Sequence, residues 1–109
     1  MKYGLPQTAI QKICGVLRHY PQVEKATLYG SRAKGNYKNG SDIDLTLHGK
    51  ELTLNTLYRI MEELDDLLLP YTIDLSIFET IRDADVVEHI QHAGLPFYDK
   101  SESVPELVV

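Results

Sequence analysis

The sequence is short of cysteine, of long apolar runs and of positive charge, and each shortage excludes something. Its one cysteine, Cys14, has no partner for an internal disulfide and cannot build a zinc site alone. No apolar run approaches the roughly 20 residues that a membrane-spanning helix needs. The opening Met1-Lys2-Tyr3-Gly4 lacks the apolar stretch of a secretory signal. These absences lead to the expectation of a cytoplasmic protein with no membrane contact. Acids outnumber Lys and Arg 16 to 11, a formal charge of −5. A stand-alone nucleic-acid binder usually carries a basic surface, so direct DNA or RNA binding is not expected.

With 109 residues the chain has room for one core and not two, and it reads as a single domain, 1–109. Thr8-Ala9-Ile10-Gln11 matches a capping box, and Ile10, Ile13, Cys14 and Leu17 follow at helical spacing until Pro21. Cys14 lies on that stripe and reads as a core residue. A strand is expected from Val23 to Tyr29, then a Gly- and Asn-rich loop with room for one helical turn near Ser31 to Lys34. Asp42 to Leu47 alternates polar and aliphatic residues, the period of a strand. His48, which follows it, reads as a loop histidine. A longer helix is expected from Thr53 to Leu68, with Leu54, Leu57, Tyr58, Met61, Leu64 and Leu68 buried and Glu62, Glu63, Asp65 and Asp66 outside. Thr72 to Phe78 reads as a third strand, and Asp83 as the cap of a last helix that ends at Gly94. A short apolar segment, Leu95 to Tyr98, precedes a tail over 99–109. This order predicts an α/β fold, a mixed sheet covered by helices, with the second and third strands parallel across the long helix.

Two features do not fit a merely structural strand. Asp42 and Asp44 share one strand face and Asp74 the equivalent face of the next, each set backed by aliphatics: Ile43, Leu45, Leu47 and Ile73, Leu75, Ile77. Aspartate is disfavoured in strands, and like charges side by side destabilise a sheet. Two carboxylates about 5 Å apart repel by roughly 3 kcal/mol at an effective dielectric near 20, so a cluster calls for protons or a hard cation such as Mg²⁺ or Mn²⁺. Acids that merely face solvent at a sheet edge would fit the strand pattern alone equally well. The second feature is upstream. A strand running into Gly30-Ser31 and a helical turn lets backbone amides approach an anion, and Gly30 to Gly40 holds Arg32, Lys34 and Lys38 with no acid. That loop suits a small anionic ligand better than a long polyanion. Arg32 reads either as a fixed charge for that ligand or as the partner of an acid elsewhere.

Gly30-Ser31-Arg32-Ala33-Lys34-Gly35, Ser41-Asp42-Ile43-Asp44-Leu45 and Ile73-Asp74-Leu75 together resemble the DNA polymerase beta-like nucleotidyltransferases, in their minimal (MNT) branch. The motif core covers about 25–78. The resemblance implies transfer of a nucleoside monophosphate, AMP from ATP, to an acceptor hydroxyl. It implies Gly30, Ser31 and Arg32 at the nucleotide, and Asp42, Asp44 and Asp74 as catalytic ligands of two Mg²⁺ ions, with Mn²⁺ as a substitute. Larger relatives carry an acceptor-recognition domain, for which this chain is expected to be too short. Minimal members resemble antitoxins paired with helical HEPN-type toxins, some of which are silenced by AMP on a tyrosine. The implied partner is therefore a HEPN-type toxin in a hetero-oligomer. A nucleotidyltransferase of small molecules such as aminoglycosides, or an antitoxin acting by contact alone, are the alternatives. The tail, with Val104, Leu107, Val108 and Val109, is expected to dock on the core or on a partner.

Overall fold

The computed structural model describes residues 1–103. Helix α1 (Gln7–Arg18) is followed by strand β1 (Lys25–Tyr29), the single turn α2 (Ser31–Lys34), strand β2 (Ile43–His48) and helix α3 (Leu54–Asp66). Strand β3 (Ile73–Ile77), helix α4 (Ala84–Ala93) and strand β4 (Leu95–Asp99) complete the element order, with short 3-10 turns after β3 and β4.

The sheet order is β3-β2-β1-β4. β1 is antiparallel to both β2 and β4, while β2 and β3 are parallel, as the α3 crossover requires. The fold is the mixed α/β architecture expected. Alternation splits the sheet into two chemically distinct faces. Ala26, Leu28, Ile43, Leu45, Leu47, Leu75 and Ile77 are buried in one core with Ile13, Val16 and Leu17 of α1 and Leu57, Ile60 and Leu64 of α3. The opposite face carries Thr27, Tyr29, Asp44, Thr46, His48, Asp74 and Ser76. α4 lies on that side against β1, where His89 meets the Tyr29 ring edge-on at 6.4 Å between centroids.

Cys14 is buried in the core as expected, its Sγ 3.7 Å from Phe97 O, and burial raises its thiol pKa. Asp83 caps α4 by accepting from Asp85 N–H at 2.9 Å.

Several expectations are corrected. Thr8 does not cap α1. Pro6 is the N-cap and has no side-chain bond to give, so Thr8 already sits inside the first turn. Leu95 to Tyr98 is not a connector but most of strand β4, which Pro96 is free to join because the strand lies on the sheet edge. His48 is the last residue of β2 rather than a loop residue. Its Nε2 lies 2.8 Å from Thr27 Oγ1 and its ring 4.7 Å from that of Phe78, and burial lowers its pKa. The phase of α3 also differs. Leu57, Ile60 and Leu64 face the sheet, whereas Leu54, Tyr58, Met61 and Leu68 stay exposed at 59%, 58%, 38% and 87%. The apolar arc of this helix is too wide for one sheet to cover, and the tighter stripe of Leu57, Ile60 and Leu64 takes the core. The proposed tail contacts at 104–109 lie outside the described residues.

The two sides of α3 can be told apart by stability. Ile60→Ala should lower unfolding free energy by about 2–5 kcal/mol, and Leu54→Ala should change it by no more than about 0.5 kcal/mol, both measured by urea denaturation. Equal losses would mean that α3 is rotated from this placement.

Candidate active site

The site forms where three strands present one row of side chains. Tyr29 is the register partner of Asp44 on the antiparallel β1–β2 pair, and Asp44 is the register partner of Asp74 on the parallel β2–β3 pair. Asp42 stands just ahead of β2, two residues before Asp44, on exposed backbone. Of the three carboxylates expected to share an edge, Asp44 and Asp74 are register partners, and Asp42 lies at the entrance of β2 rather than within it.

Burial raises the Asp44 pKa above the ordinary carboxylate value of 3.8, and the charges of Asp74 and then Asp42 push it the same way. Among the described residues none of the three makes an ion pair; the pairs present are His19–Glu63 and His92–Glu88. Burial also raises the Tyr29 phenol. A hydrogen bond with Ser76 opposes that shift, while Asp74 and Asp44 add to it. Behind this row Ser76 Oγ donates to Thr46 Oγ1 at 2.9 Å, which satisfies a hydroxyl that is wholly buried. Among the described residues no three His, Cys, Asp or Glu side chains are grouped closely enough to hold a metal ion. What the row offers is an open edge of negative charge.

Gly30 joins the phosphate-type loop to this row. Its φ of 76° and ψ of −154° belong to a backbone region that is essentially glycine's alone. A Cβ at this position would strike Asp44 Oδ2, so the absence of a side chain lets β1 turn into α2 directly beside the carboxylate. Lys34 N–H bonds Gly30 O at 3.1 Å and Gly35 N–H bonds Ser31 O at 2.9 Å. Ser31 and the amides ahead of Lys34 thus stand at the open start of the turn, next to the acid row.

Arg32 lies elsewhere. Its side chain is buried at 3% exposure. Nε and Nη2 donate to Ser41 O at 3.1 and 2.8 Å, and Nη1 donates to Tyr3 O at 3.0 Å. The Tyr37 and Tyr71 rings lie 5.3 and 5.2 Å from the guanidinium carbon. Carbonyls and aromatic rings hold this cation, in place of the ligand or the acid expected of it. Arg32 thereby pins the residue before Asp42 to α2 and to the N-terminal turn. Ser41 assists by accepting from Lys38 N–H at 2.8 Å. Sequence reasoning missed both this clamp and Tyr29 in the acid row. For Tyr29 the usable signal was its position directly before Gly30; for the clamp no local signal existed, because its partners are far apart in the sequence.

With this geometry in view, the pattern of the family described as Polymerase beta, Nucleotidyltransferase matches residues 11–103. The chain belongs to that family. No curated protein matches this nucleotidyltransferase in sequence. Solved structures do match its fold. A toxin–antitoxin crystal structure with AMP-PNP aligns at a TM-score of 0.68 and 20% identity over 86% of this chain and 76% of the other. A chain of the toxin–antitoxin MntA-HepT aligns at 0.64 and 18% identity, over 90% and 76%. The tri-AMPylated Shewanella oneidensis HEPN toxin in complex with MNT antitoxin gives 0.64 and 19%, over 93% and 77%.

The unpaired row has a consequence for the nucleotidyltransferase without ligands. A carboxyl whose pKa is raised in the folded state adds stability below its unfolded pKa and loses it as pH rises through the folded value. Asp44→Asn should therefore be more stable than the parent at pH 7, with the gap closing as pH falls below about 4. Thermal melting across that range in chelator reads it; a variant less stable at pH 7 would make Asp44 a structural acid.

Proposed function

We infer that this nucleotidyltransferase moves AMP from ATP to a tyrosine hydroxyl of a HEPN-type toxin and acts as that toxin's antitoxin. The observation that carries the reading is the edge on which Gly30, followed directly by Ser31, approaches Asp44, the register partner of Asp74. Membership of the family supplies the reaction class. The toxin–antitoxin structures of like fold, one with AMP-PNP and one with an AMPylated toxin, support the nucleotide and the acceptor.

Ser31 Oγ and the first amides of α2 would take up the triphosphate oxygens. Gly30 keeps that backbone close to Asp44. Asp42, Asp44 and Asp74 would hold Mg²⁺, or Mn²⁺ in its place. Their all-carboxylate donor set fits a hard cation, and their mutual repulsion is what a cation would relieve. Divalent ions held by these carboxylates would supply charge neutralisation for the triphosphate. Asp74, on the strand at the sheet edge, would receive the proton of the incoming hydroxyl. The acceptor oxygen bonds to the α-phosphorus, the bond to the bridging oxygen breaks, and pyrophosphate leaves. Arg32 takes a positioning role in this scheme, because its donors are already committed to Ser41 and Tyr3.

Calorimetry should find ATP binding with Mg²⁺ and none with chelator. Transfer of labelled AMP to the HEPN-type protein of the same genome should fall by at least about two orders of magnitude in Asp42→Asn or Asp44→Asn. Equal ATP affinity with and without chelator would sink the site, and transfer that survives in both variants would sink the mechanism.

A further inference from the structure

The turn at Tyr3 and Gly4, ahead of α1, is held from three sides. Lys2 and Leu5 close it by exchanging backbone hydrogen bonds, Lys2 N–H to Leu5 O at 3.1 Å and Leu5 N–H to Lys2 O at 2.8 Å. Between them Tyr3 and Gly4 take φ of 59° and 72°. Both lie in the left-handed region, where a tyrosine rarely stays unless its surroundings hold it. Leu5 is wholly buried in the core, the Tyr3 hydroxyl donates to Pro96 O at 3.2 Å, and the Tyr3 carbonyl accepts from Arg32 Nη1 at 3.0 Å. A Cβ at Gly4 would overlap the Tyr37 ring and press on Arg32 Nη1. The turn lies ahead of residues 11–103, which match the family pattern.

What the turn holds is the cation that steers an acid. Arg32 is buried and, among the described residues, forms no ion pair. Two carbonyls and two flanking rings satisfy its charge, with Ser41 O on one side and Tyr3 O on the other. A buried cation with so few acceptors must turn to find another when one is lost. If Tyr3 O moves, Nη1 follows it or is left unpaired, and the bonds from Nε and Nη2 to Ser41 O are disturbed either way. The Ser41 carbonyl and the Asp42 nitrogen share one peptide plane, so fixing Ser41 O fixes the plane from which Asp42 departs. The next amide, Ile43 N–H, donates to Thr72 O at 2.8 Å, two residues before Asp74. We propose that the Tyr3–Gly4 turn is a positioning element for the carboxylate edge. Acting through Arg32 and Ser41, it sets where Asp42 stands relative to Asp44 and Asp74. This rests on the reading of that edge as a divalent-cation site and adds to it a segment outside the motifs.

The test measures binding of Mn²⁺ alone to the full chain, by electron paramagnetic resonance of the free ion, beside thermal melting of the same samples. Gly4→Ala displaces the turn against Arg32. It should weaken Mn²⁺ binding at least about tenfold, as loss of a contact that supports a metal ligand does, while the chain still melts cooperatively. The loss should depend on Asp42. In an Asp42→Asn background Gly4→Ala should weaken binding by less than about twofold, and in an Asp74→Asn background by the full factor of about ten. General loosening would weaken both backgrounds alike, and that result would overturn the proposal. A folded Gly4→Ala chain that binds Mn²⁺ as the parent does would overturn it too, and would leave the cation reading standing. A parent that binds no Mn²⁺ would overturn both. Should Gly4→Ala fail to fold, hydrogen exchange in the unaltered chain decides, because coupling between two parts is reciprocal. Saturating Mg²⁺ should then slow exchange of the Leu5 amide at least about threefold relative to the α4 amides, and an unchanged ratio would overturn the proposal.

Discussion

Asp44 and Asp74 stand opposite each other on neighbouring parallel strands, and that one repulsive pairing shapes much of what surrounds it. A sheet tolerates two such carboxylates side by side only at an edge open to water or to a counter-ion. The strands therefore divide their labour. One face is apolar and supplies the stability; the other takes the acids, the hydroxyls of Thr46 and Ser76, and Tyr29. Gly30 brings the anion-facing turn within contact of Asp44, and Arg32 fixes the loop that delivers Asp42. A cationic clamp built on carbonyls and tyrosine rings leaves the acid row unneutralised. Had Arg32 paired with Asp44 instead, the edge would be satisfied and would have no call for a metal or a phosphate.

The same economy shows on the far side of the molecule. A small domain buries a limited share of its apolar surface, and α3 presents more apolar surface than one sheet can cover. Leu54, Tyr58 and Met61 are left outside, on the side of α3 turned away from Leu57, Ile60 and Leu64.

How legible this was in the sequence depended on whether the signal was local. The period-two alternation around Asp44 and Asp74 marks both strands and both faces, and the long crossover implies their parallel pairing, so the residues alone point to the carboxylate row. Gly30 and the turn at Ser31 were local as well. Three things were not. The phase of α3 depends on which of two overlapping apolar stripes wins the sheet, a tertiary decision between Leu57-Ile60-Leu64 and Leu54-Tyr58-Met61. β4 exists because β1 offers it an edge, which Pro96 disguised. Arg32 is fixed by carbonyls from residues 29 positions before and nine after it, a placement that composition does not encode.

The Asp42–Asp44–Asp74 edge, on this reading, is built to be neutralised by a divalent cation beside the Gly30–Ser31 turn. Crystals grown with Mn²⁺ and a non-hydrolysable ATP analogue, measured at the manganese edge, address that claim most directly. The expected result is anomalous density bridging Asp42 and Asp44, with Asp74 at a second ion and the triphosphate against Ser31. Analogue bound elsewhere with this edge free of manganese, or manganese held by other residues, would contradict it.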